Sequence, residues 1–138
     1  MTSTSNPSFD LQNRLQWALL ILRITVFIVM FVWILDKFFH PEHTMKVLKG
    51  FYNIDNFSET IIYLLGAIQS LLMLLFLAGI KKTVTYGIVL ILHTISTLAA
   101  YNLYIDIFNN LLFFAAWPML GACITLYLLR TADTKFSF

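Results

Sequence analysis

Hydrophobic residues run almost without interruption from position 14 to position 41, as RLQWALLILRITVFIVMFVWILDKFFHP, with Arg23 set well inside the run. Three more such runs follow, at about 59–80, 83–104 and 111–129. At about 1.5 Å of rise per residue, each is long enough to cross a hydrocarbon layer of roughly 30 Å. The pattern predicts helices over 15–39, 59–80, 83–104 and 111–129. The fold class expected is all-α: an integral membrane four-helix bundle, in one domain over residues 1–138.

Helix one carries sixteen Leu, Ile, Val or Phe residues between 15 and 39. Each contributes about −0.3 to −0.6 kcal/mol to insertion, whereas one central arginine costs about 2.5–3.5 kcal/mol. The apolar residues win, so Arg23 does not oppose insertion, but it demands a partner. The run is too long for a secretory signal and has no small-residue cleavage pattern after it, so it reads as a retained helix. Residues 1–10 are polar and expected to fray.

Between helices one and two, Pro41 opens a short amphipathic helix over about 42–50. Met45, Leu48 and Phe51 or Tyr52 fall on one side of it and Lys46 and Lys49 on the other, which suits a helix lying at the membrane interface. Gly50 is the expected stop. Asn56 and Glu59 have the spacing of a capping box for helix two. Lys81 and Lys82 make a tight turn before helix three, and helix four is expected to break or bend near Trp117 and Pro118.

Composition narrows the class. Hydrophobic residues make up 59% of the 138 residues and charged ones 12%, against about 25% charged in an ordinary soluble chain. The net charge of +2, with no long basic run, gives no nucleic-acid surface. The single cysteine, Cys123, excludes an internal disulfide and the paired-cysteine chemistry of small membrane thiol oxidases; a small buried core residue is the expected role. One end of the bundle would hold Arg14, Lys81, Lys82, Arg130 and Lys135, the other Lys37, Lys46 and Lys49. The excess at the first end places both termini in the cytoplasm, in what is expected to be a bacterial inner membrane.

With that orientation, Arg23, Gln69 and His93 all lie about 13–15 Å deep. A buried guanidinium must find acceptors that lipid does not offer, and Gln69 and His93 are the candidate partners. Such a level is either a structural polar knot that fixes helix packing or a site for a small ligand or a quinone headgroup. On helix three, His93, Thr97, Ala100 and Tyr104 share one face, and with Tyr101 they would lead outward from the midplane site. A haem is not expected, because His93 alone lies at membrane depth. At the outer end Trp33, Asp36, Lys37, His40, Glu42 and His43 form a second polar cluster, together with Glu59, Tyr101, Asn102, Tyr104, Asp106 and Trp117. It reads as an interfacial belt. His40 and His43, with Glu42, have the donor types of a metal site, but three residues in a proline-started turn are weak evidence for one, so no metal is assigned. No catalytic residue is identifiable.

An arginine in the first helix, then Trp33, Asp36, Lys37, Phe38 and Pro41, resembles the DoxX-like family of small four-helix membrane proteins. Gly66, Gln69, Gly79, Lys81 and Lys82 are similar to that family's second helix and the basic turn after it. Gln69 stands where the family often has glutamate, and Asp36 where it usually has glycine, so a proton relay is not carried over. The resemblance implies a subunit or partner of a membrane redox system, with a quinone as the cofactor class. The alternatives are a non-enzymatic assembly factor or scaffold, in which Gly66, Gly79 and Gly121 allow close helix approach, and a small-molecule transporter built as a homo-oligomer.

Overall fold

The computed structural model describes residues 7–138, and among them it is helical without strands. Six α-helices follow in order: α1 (Pro7–Phe39), α2 (Pro41–Tyr52), α3 (Glu59–Leu77), α4 (Lys82–Ala99), α5 (Tyr101–Ile105) and α6 (Ala116–Leu128). A 3-10 turn over Leu111–Ala115 leads into α6. Four helical stretches are long and apolar enough to cross a membrane: Ser8–Phe39, Glu59–Leu77, Lys82–Ala99 and Leu111–Leu128.

α1 begins eight residues earlier than the apolar run suggests, so residues expected to fray from 7 onward are helical; residues 1–6 lie outside the described part. Proline is well suited to a first helical turn. Asp10, in that turn, favours the positive end of the helix dipole and pairs with Arg14 one turn on, at 2.9 Å. The 33 residues of α1 span about 50 Å, well beyond a hydrocarbon core.

Elsewhere the ends are set by single backbone conformations. α2 runs through Gly50 and stops instead at Asn53, which takes the left-handed conformation at φ 55°; asparagine is one of the few residues that tolerates it. The capping box does not form. Glu59 is the first residue of α3, two positions too early for that role, and Ser58 stands as N-cap without a side-chain bond. α3 ends three residues short of 80 because Gly79 turns to φ 66°, while the N–H groups of Ala78, Gly79 and Ile80 fold back onto Leu74, Phe76 and Leu75.

The third apolar run is two helices, interrupted at Ala100. The Thr94 and Thr97 hydroxyls bond back to the Leu90 and His93 carbonyls, which bends helices, and the Tyr104 hydroxyl takes the Thr97 carbonyl at 3.0 Å. The expected break in the fourth run falls between Ala115 and Ala116. Pro118 has no N–H to give to the preceding turn, so it is tolerated only in the first turn of a new helix.

α1 packs against α3, α2 and α6, and α4 against α6 and α3. On α1 the inward residues are Leu19, Arg23, Val26 and Ile34, which share one helix face. Met73 and Phe76 from α3, Tyr86 and Val89 from α4, and Cys123 and Leu126 from α6 complete the core. The Phe76 and Tyr86 rings meet at 4.9 Å between centroids. The glycines do not bring helix backbones together: a Cβ on Gly66 would strike the Phe38 ring at 2.9 Å, Gly79 lies in the turn, and Gly121 has nothing within 4 Å.

Candidate functional site

Arg23 is completely buried, at 0% exposure. Side chains of an α-helix lean toward its N-terminus, so the guanidinium reaches down from its Cα to the level of the α3–α4 turn, where a Cβ on Gly79 would lie 2.5 Å from Nη1. It is therefore at one end of the packed helices and not midway between them. There it meets the C-terminal tail, which folds back under the helices. Arg23 Nη1 lies 3.4 Å from Asp133 Oδ2, an ion pair in which neither side chain has any exposure. Nη1 also donates to the Tyr86 hydroxyl at 3.3 Å, and Nη2 donates to the carbonyls of Lys135 at 2.6 Å and Phe136 at 3.2 Å.

The group is a connected network of donors and acceptors. The Tyr86 hydroxyl accepts from Arg23 and donates to Asp133 Oδ2 at 2.6 Å. Lys82 donates to the Asp133 carbonyl and to Ser137 Oγ. The Phe138 N–H reaches the Ala78 carbonyl at 3.2 Å. Phe136, between the two carbonyls that face Arg23, takes φ 48°, a conformation that costs a non-glycine residue about 1–3 kcal/mol. The bonds around it hold it there. Arg23 Nε and Asp133 Oδ1 are buried without a partner, which marks room for improvement in an otherwise satisfied network. Lys135 places its ammonium 4.5 Å from the centre of the Trp17 ring, pinning the tail against α1.

The expected partners of Arg23 are thus corrected. Gln69 is half-buried and makes no hydrogen bond with it, and His93 is buried farther along α4. Seven residues separate His93 from Tyr86, which is about 10 Å along a helix. His93 Nε2 lies 3.1 Å from the Ala116 carbonyl oxygen. A carbonyl only accepts, so Nε2 carries the proton. The Thr97 hydroxyl is 3.4 Å from the same nitrogen and donates to the His93 carbonyl at 2.8 Å. His93, Thr97 and Tyr104 are therefore connected, as their spacing suggests; Tyr101 is 62% exposed and takes no part. Burial raises the pKa of the Tyr104 hydroxyl, whose ring packs against Phe114 and Trp117.

The outer cluster divides in two. At the α1–α2 corner, His43 Nδ1 lies 2.6 Å from Asp36 Oδ2, its ring stacks on Trp33 at 6.2 Å, and Lys37 donates to the Trp33 carbonyl. His40 pairs instead with Glu42, at 3.7 Å. No three His, Cys, Asp or Glu side chains gather as a metal site among the described residues.

Asp133 and Tyr86 were not legible as partners of Arg23, although one signal existed. Of the seven acidic residues, only Asp10 and Asp133 fall on the Arg23 end of the helices.

No protein-family model, curated protein or solved structure matches this chain. The arrangement offers one enclosed ion pair sealed by the chain's own tail, and a group in which Thr97 meets His93 through its hydroxyl and Tyr104 through its backbone carbonyl.

Proposed function

We propose that the four long helices form a transmembrane bundle in a bacterial inner membrane, with both termini cytoplasmic and α2 at the outer interface. In that setting the protein acts as a non-enzymatic subunit or scaffold. The observation that carries this reading is the state of Arg23, whose Nη1 and Nη2 are engaged by Asp133, Tyr86 and two tail carbonyls, with no exposure left for a ligand. Its charge serves the fold. Insertion is supported by the outward residues, which are as apolar as the inward ones: Ile21, Ile28 and Val32 on α1, and Leu64, Ile68 and Leu71 on α3, are all more than half exposed. A helix apolar on every side suits lipid. The stretch ending in α6 is only 11% buried, against 22–28% for the other three, so that side is the most open to a partner subunit or a second copy.

The test is a double replacement. A buried ion pair exchanged for apolar residues of similar volume is often neutral. Arg23→Met with Asp133→Leu should therefore preserve the size of the complex on native gels of detergent-extracted membranes. Loss of assembly in a double variant that still folds, or a wild-type chain that migrates as a lone monomer, would overturn the reading.

A second reading, a DoxX-like partner in a redox system that binds a quinone, is favoured by the connected line His93, Thr97 and Tyr104. Titration of the purified protein with ubiquinone and menaquinone analogues tests it. Absence of binding, or binding that His93→Ala leaves unchanged, counts decisively against it.

A further inference from the structure

We infer that the end of the molecule carrying the α3–α4 turn holds a binding site for the phosphate-bearing headgroup of an anionic phospholipid. The inference rests on the membrane reading above. An open cleft of about 300 Å³ lies there, lined by Lys81, Lys82, Thr83, Val84, Arg130 and Thr131. Three basic residues and two threonines thus line one concavity.

Their charges are not neutralised by the protein. Lys81 is exposed, and its ammonium enters no ion pair among the described residues, while its backbone carbonyl accepts from Val84 and Thr85 in the first turn of α4. Arg130 uses Nε on the Thr83 hydroxyl at 3.1 Å and Nη1 on the Tyr127 carbonyl at 2.7 Å. That leaves donors of its five-donor fork free for an anion. The Tyr127 ring lies 4.6 Å beneath the guanidinium and fixes its plane. Lys82 is anchored on the tail by the Asp133 carbonyl. The two acids at this end are both committed, Asp10 to Arg14 and Asp133 to Arg23, so neither competes for the cleft. The first turn of α4 adds the positive end of a helix dipole.

What distinguishes a lipid from free phosphate is the surface beside the cleft. Val84, which lines it, continues along one face of α4 into Ile88 and Ile91, 55%, 39% and 58% exposed. Leu128, 66% exposed, lies on α6, the helix α4 packs against. Cations at the mouth and an apolar strip leading away from it match a headgroup and its acyl chain. A juxtamembrane cation contributes about 1 kcal/mol of attraction to acidic lipid, which corresponds to roughly fivefold in affinity.

The experiment uses the full chain in nanodiscs of phosphatidylcholine, or of an equal mixture of phosphatidylcholine and phosphatidylglycerol, with retained lipid counted by native mass spectrometry. Wild type should retain phosphatidylglycerol in preference. Lys81→Gln with Arg130→Gln should reduce that preference by more than tenfold, whereas Lys46→Gln with Lys49→Gln on the far end should leave it unchanged. Equal losses from the two pairs would mean diffuse charge and overturn the site. Displacement of phosphatidylglycerol by inorganic phosphate at comparable concentration would overturn the lipid assignment. A chain that floats with vesicles yet shows no preference overturns the site alone; one that fails to float overturns the membrane reading and the site with it.

Discussion

Arg23 and Asp133 form an ion pair in which both side chains have 0% exposure, and it ties the interior of α1 to the C-terminal tail. Tyr86 of α4 bridges the two, so three distant parts of the chain meet at one point. A charge that is costly within an apolar run is thereby converted into a constraint on how α1, α4 and the tail sit together.

The pair should behave as a unit in a double-mutant cycle. Breaking a buried pair by removing one partner costs about 3–5 kcal/mol, because the other charge is left uncompensated. Arg23→Ala and Asp133→Ala should each destabilise by that order in denaturant titrations in detergent. The double variant should cost well under the sum. Additive losses would show that the two residues act separately.

Two glycines should respond in opposite directions to alanine. Gly79 sits at φ 66°, and a Cβ there would lie 2.5 Å from Arg23 Nη1 and 2.6 Å from Ser137 Cβ. Gly79→Ala should destabilise by more than about 1 kcal/mol and loosen the tail, seen as faster proteolysis after Arg130. Gly50 lies within α2 with nothing within 4 Å, so Gly50→Ala should stabilise by about 0.4–1 kcal/mol. A neutral Gly79→Ala would mean that the turn is not fixed as described.

Tyr86→Phe isolates the bridging hydroxyl. The ring stays against Phe76, but the bonds to Arg23 and to Asp133 are lost. Leaving buried charged groups short of a partner costs about 1–3 kcal/mol. The loss should shrink sharply in the background of Arg23→Met with Asp133→Leu, where nothing remains to bridge. An unchanged loss would assign the effect to packing.

The four long helices were legible because uninterrupted apolar runs leave few alternatives. Their ends were not, since single residues moved them: Asn53 carried α2 past Gly50, Gly79 stopped α3 early, and Ala100 split the third run. At the site, sequence reasoning correctly demanded a partner for Arg23 and aligned His93, Thr97 and Tyr104. Depth measured from the Cα points to Gln69 and His93 as the partners instead. A guanidinium on a long arm that leans toward the helix N-terminus reaches a different level. The tail, short and mixed in polarity, has no periodicity to announce that it folds back.

Cys123 supplies a reporter for that fold-back. It is 2% exposed, in the same core as Leu19 and Tyr86, and it is the chain's one cysteine. Thiol modification requires access to the buried sulfur, so its rate follows the opening of the core. In detergent, wild type should react slowly with a maleimide. Asp133→Ala, or a chain ending after Thr131, should react at least tenfold faster, as expected when an opening equilibrium shifts by more than about 1.4 kcal/mol. The Lys81→Gln and Arg130→Gln variant keeps Arg23 sealed and should react at the wild-type rate. If tail removal leaves the rate unchanged, the tail rests on the helices without holding them, and the Arg23–Asp133 pair does not couple the tail to the core.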